Sequence, residues 1–141
     1  MKLIIALLGV IALLLAAFAV YARLKPIDRT RFHATPGPNE VGVHDLKGGV
    51  KQVVPLADLP EDAVPQLLEL VRQSDGTTEV PADEGYSFVT RSRLFGFPDV
   101  TRIWVAENNL HIHAHLVIGS SDVGVNGRRV GQWIELLFAA P

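Results

Sequence analysis

Leu3 to Ala22 runs for twenty residues without a charge or a proline. At 1.5 Å rise per residue, a helix over this run is about 30 Å long, the thickness of a bilayer's hydrocarbon core. A helix apolar on every side has no stripe to show to water, so residues 1–22 are expected to form a single transmembrane anchor. The competing reading is a cleaved export signal. Lys2 supplies a minimal charged start, and Ala17-Phe18-Ala19 and Val20-Tyr21-Ala22 offer small residues at cleavage spacing. The run is longer than the roughly 7–15 residues of a signal's apolar stretch, which favours retention.

Charge divides the chain. Up to Arg31, Lys2, Arg23, Lys25, Arg29 and Arg31 face one acid, Asp28, whereas the remainder is acidic. A basic stem beside a bilayer attracts anionic headgroups, by about 1 kcal/mol per cation. An acidic body lacks the basic footprint that phosphate backbones require, so nucleic acid is not an expected partner. The positive-inside bias points the body toward the cytoplasm, while the short N-terminal tail with one lysine resembles the start of an exported protein. With no cysteine in the chain, disulfides, thiol chemistry and a lipidated-cysteine anchor are excluded.

Residues 23–49 mix Pro26, Pro36 and Pro38 with several glycines and hold no sustained apolar period, which reads as a linker or stem. Residues 50–141 read as one small domain. Val50–Leu56 is expected as a strand. A helix follows, with Asp62 as its cap, Pro65 in its first turn and Val64, Leu67, Leu68 and Val71 on one face. Thr77–Val80, Tyr86–Leu94, Val100–Ala106 and Leu110–Ile118 alternate as strands, the last three forming an antiparallel meander. Ser121 or Asp122 caps a last helix reaching about Phe138. Its Gly124, Gly127 and Gly131 suggest close approach to the sheet. The expected fold is α+β, a small antiparallel sheet with two helices packed on one face behind the transmembrane helix.

Between Val89 and Arg129 lie Gly96-Phe97-Pro98-Asp99 and a closing pattern of Gly119, Ser121, Asp122, Gly124, Asn126 and Arg129. These stretches resemble the bacterial and plastid family known as domain of unknown function 1499. The resemblance assigns no activity. Its members often carry an export signal or anchor, which implies a periplasmic body on a single-pass membrane protein. Family members often have Pro-Asn-Cys-Val where this chain has Pro38-Asn39-Glu40-Val41, and an Arg/Ser-rich last strand where this one has histidines.

His111, His113 and His115 share one strand face. A pair at this spacing, His113 with His115, can grip one Zn²⁺, with further ligands supplied from elsewhere. The plainer reading is a solvated face opposite Ile112, Ala114 and Leu116. Arg91, Arg93, Arg102 and Arg129, with Asp122 and Asn126, form a candidate anion patch, since guanidinium forks suit phosphate or carboxylate. The plainer reading is pairing of these arginines with Asp99 and Asp122. Gly-Ser-Ser-Asp-Val-Gly is not a nucleophile elbow, and no phosphate loop or dinucleotide fingerprint occurs. An enzyme is therefore not the leading expectation, and no cofactor is expected. The leading one is a non-enzymatic, membrane-tethered binding or interaction module of the cell envelope. Its partners would be the lipid bilayer and either a membrane or envelope protein or a small anionic ligand. A metal-dependent enzyme built on the histidine strand and a structural subunit of a membrane complex are the alternatives.

Overall fold

The computed structural model describes residues 1–139, the side chains of Arg29 and His33 excepted. Ala140 and Pro141, within the expected 50–141 domain, lie outside the described residues. Helix α1 spans Lys2–Leu24 and is exposed along its whole apolar length, Ala22 alone being buried. A short α2, Arg29–His33, follows, with Asp28 accepting from the Thr30 amide at its start.

The sheet has six strands: β1 Gly42–Leu46, β2 Gly49–Pro55, β3 Thr77–Val80, β4 Tyr86–Arg91, β5 Pro98–Ala106 and β6 Asn109–Leu116. Their order is β1-β2-β6-β5-β4-β3, antiparallel throughout. The β4-β5-β6 meander forms as the alternation predicts. After β2, α3 (Ala63–Gln73) carries the chain across to β3 on the opposite edge. Asp62 sits at the cap position of α3, but its side chain makes no capping bond.

Helices α3 and α4 (Val125–Ala139) cover one face of the sheet. Leu67, Leu68 and Val71 of α3 and Val130, Trp133 and Ile134 of α4 close over Phe88, Ile103 and Ile112. Each such side chain contributes about 1.5–3 kcal/mol by leaving water. Trp133 Nε1 donates to Ser74 Oγ at 2.8 Å, so the two helices also share a polar tie.

Two expectations are corrected. Residues 23–49 are not a free linker. They contain the end of α1, α2 and β1, and from Lys25 to Asn39 they lie as a strap over the second sheet face. The strap has no internal period because its partners are strands far along the chain. The glycines of α4 do not mark close packing either. A methyl added at Gly127 or Gly131 would meet nothing within 4 Å, and Gly124 precedes the helix with φ +73°. Close approach occurs instead at Gly49, where such a methyl would strike the Ala114 carbonyl and lie 2.8 Å from His115 Cα.

Candidate functional site

The sheet face beneath the strap carries the expected histidines. Register sets Lys51 of β2, His113 of β6, Arg102 of β5 and Ser87 of β4 in one cross-strand row. All four are buried, Lys51 fully. The strap is what buries them. Ser87 Oγ donates to the Phe32 carbonyl, and Lys51 Nζ donates to the Pro36 carbonyl and, at 2.9 Å, to Asn39 Oδ1. Lys51 also stands 5.0 Å from the centre of the Trp104 ring. Asn39, of the Pro38-Asn39 pair noted in the sequence, is therefore one of the two groups by which Lys51 clasps the strap.

The histidines accordingly do not form a solvated face. Burial lowers the His113 pKa to about 4, helped by His115 and Lys51, and burial with Arg31 lowers that of His115 to about 4. His111 is lowered in the same direction, by burial and then Lys51. Neutral rings pack as aromatics here: His113 stacks on His115 at 4.5 Å and His111 on Trp104 at 5.0 Å. Nδ1 of all three, Nε2 of His111 and Nε of Arg102 have no protein partner. Among the described residues no group of three or more His, Asp or Glu side chains is placed to hold a metal ion.

The arginines do not assemble into one patch. Arg91 donates to the carbonyls of Ala22 and Gly96, at 3.0 and 3.1 Å. Arg93 is exposed. Arg102 lies under the strap, its pKa lowered by burial although Glu84 and Asp83 oppose this, and donates weakly to Ser87 at 3.4 Å. Arg129, on the helix side of the sheet, pairs with Asp99 at 3.2 Å and donates to Asn126 Oδ1 at 3.0 Å. Asp122 caps α4, its carboxylate accepting from the amides of Gly124 and Asn126. Burial acts against its charge, but those amides outweigh burial and hold its pKa below the ordinary value. For Asp99 burial outweighs Arg129, and its pKa is raised.

What does converge is the end of the domain that meets α1. Arg23 donates to the carbonyls of Leu94 and Phe95, at 3.0 and 3.2 Å, and Phe18 packs edge-on against Phe97 at 5.6 Å. With Arg91 on the Ala22 carbonyl, the last turns of α1 are fastened to the turn between β4 and β5. Beside this joint opens a pocket of about 420 Å³. Phe18, Phe97, Leu116, Ile118, Val123 and Val125 supply its apolar lining, and Asp99, Asp122 and Arg129 line it with charge. Val123 adopts φ +51° with its side chain 81% exposed. A β-branched residue there costs of order 1–3 kcal/mol. The turn is held by Ser121 Oγ, which accepts from the Val123 amide at 3.2 Å.

Both motif stretches of the sequence therefore line one cavity: Phe97 and Asp99 from the first, Gly119, Ser121, Asp122 and Arg129 from the second. A family model described as protein of unknown function (DUF1499) matches residues 33–137. The chain belongs to the DUF1499 family. The matched span takes in the end of the strap, all six strands, α3 and nearly all of α4, and starts after α1. No curated protein and no solved structure matches the chain. Of the residues that the sequence offers for an anion patch, Asp122 and Arg129 line this pocket and Asn126 does not, whereas Phe18 and Arg23 read in the sequence only as parts of the anchor and stem. The signal available was the pair of motifs, whose residues the Arg129–Asp99 bridge joins.

Proposed function

We propose that this DUF1499 chain is a non-enzymatic binding module, held at a membrane surface by α1, whose ligand site is the pocket between Phe18 and the start of α4. The observation that carries the reading is the fastening of α1 to the body. An apolar rod whose outer length no protein covers needs an apolar solvent, and its last turns are bonded into the domain at Ala22 and Arg23. Cleavage after Ala19 or Ala22 would take Phe18 away from Phe97, and cleavage after Ala22 would also take away the Ala22 carbonyl that Arg91 holds, which favours retention over removal. Tyr21 and Lys25, bonded to each other at 3.1 Å, suit the headgroup level at the end of the span.

The body lies on the periplasmic side in this reading, supported by the resemblance-based expectation of an exported domain. The native chain has no cysteine, so an exposed Glu61→Cys gives a unique label. In intact cells a membrane-impermeant maleimide should react with it, and labelling only after lysis would place the body inside. Fractionation tests the tether. The chain should stay in the membrane pellet through alkaline carbonate with its mass starting at residue 1. A soluble chain beginning near Arg23 would contradict the proposal.

A further inference from the structure

From the pocket's depth we infer that its occupant is an acyl chain of a lipid from the bilayer that α1 crosses. The inference rests on the membrane reading above and names the ligand for the same site. Phe18 stands four residues before Ala22, the end of the uncharged run, so it lies about 6 Å inside the span. The pocket wall it forms with Phe97 is therefore at the level of hydrocarbon, not of water. At that level a cavity whose lining is mostly the apolar side chains of Phe18, Phe97, Leu116, Ile118, Val123 and Val125 offers water few partners on that lining, and the nearest apolar material is lipid. The lining also includes the Asp99–Arg129 pair and Ser92, polar groups suited to the polar end of a lipid.

A second observation points the same way. Leu94, 74% exposed, stands on the β4–β5 turn, and Val123, 81% exposed and at positive φ, stands on the loop before α4. Leu94 sits on the turn that grips α1, and Val123 lines the cavity that Phe18 also lines. Large apolar side chains displayed beside a bilayer-spanning helix bury themselves in lipid. The domain thus meets the membrane through α1 and these two loops together, and the pocket is the gap between them.

The test uses the full chain in nanodiscs of phosphatidylcholine doped with a phosphatidylcholine bearing a diazirine on its acyl chain. After illumination, cross-links are mapped by peptide mass spectrometry. The expected result is labelling of α1 between Leu7 and Leu15 and, in addition, of peptides holding Phe97 and Ile118–Val125. Ile118→Trp and Val125→Trp, each filling the cavity, should cut the domain label severalfold while leaving the α1 label unchanged. Two substitutions at different depths guard against one that misfolds, which a lost thermal transition would reveal. Labelled α1 with an unlabelled domain overturns the acyl-chain assignment alone. An unlabelled α1 overturns the membrane reading beneath it. Domain labelling that both tryptophan variants leave intact assigns the contact to the outer loop surface and overturns occupancy of the pocket.

Discussion

Arg129 of α4 reaches 3.2 Å to Asp99 of β5, and through this pair the two motif stretches of the chain become one wall of one pocket. The pair is only slightly exposed, so its partners depend on each other. Arg129→Ala leaves the raised-pKa Asp99 carboxyl without its cation, and Asp99→Ala strands the guanidinium. Each single change is expected to destabilise by about 1–3 kcal/mol, and the double change by less than their sum. Thermal unfolding of the four variants in one detergent checks this. Strictly additive losses would show that the bridge is incidental.

The strap makes a second prediction. Lys51 is its clasp, donating to Pro36 and Asn39 from a fully buried position. Lys51→Ala should release residues 25–39, so that trypsin cuts the folded chain at Arg31 faster than in the parent. Lys51→Met keeps the aliphatic stem against Trp104 and should be intermediate. Unchanged cleavage in both would mean that the strap is held without the lysine.

Acid should loosen the same layer. His113 and His115 titrate at about 4 when folded, against 6.5 ordinarily. Above pH 6.5 both states hold neutral rings and stability is flat. Between 6.5 and 4 the unfolded chain takes up protons that the folded chain refuses, so stability falls with pH by up to about 1.4 kcal/mol per unit for each ring. His115 is partly exposed and His113 feels it, so the combined slope is smaller than twice that. Below pH 4 the histidine contribution levels off. Melting temperatures across this range should show the fall, and His113→Gln should reduce its slope. A flat profile from neutrality to pH 4 would mean that the rings are hydrated.

Glycines separate two physical roles. Gly131 lies inside α4 with open space where a side chain would go. Gly131→Ala should therefore stabilise by about 0.5–1 kcal/mol. Gly49→Ala should destabilise, because its methyl would run into the β6 backbone. If both changes move the melting temperature in the same direction, the packing described for one of them is wrong.

Legibility in the sequence followed periodicity. The β4-β5-β6 meander, α3 and α4 were readable because Phe88, Ile103, Ile112 and Leu67 repeat at the spacing of their elements. Strand β1, Gly-Val-His-Asp-Leu between glycines, has no such signature and was read as stem. The strap was invisible because its order comes from bonds such as Ser87 to Phe32, 55 residues apart. With the strap unseen, the sequence offers the histidines only a solvated face or a metal, and not burial. Asp122 and Arg129 are recognisable as cap and ion-pair residues, but their pocket is not, because part of its lining is Phe18, a residue that the sequence spends on the anchor.

The most direct test of the account joins that residue to its partner. Phe18→Cys with Phe97→Cys, in a chain otherwise free of cysteine, can be bridged by a short bismaleimide in native membranes and then cut with trypsin. The account predicts one intramolecular linked peptide pair holding α1 to the β4–β5 turn. A chain lacking position 18, or one that links only to neighbouring molecules, would contradict a retained helix fastened to its domain.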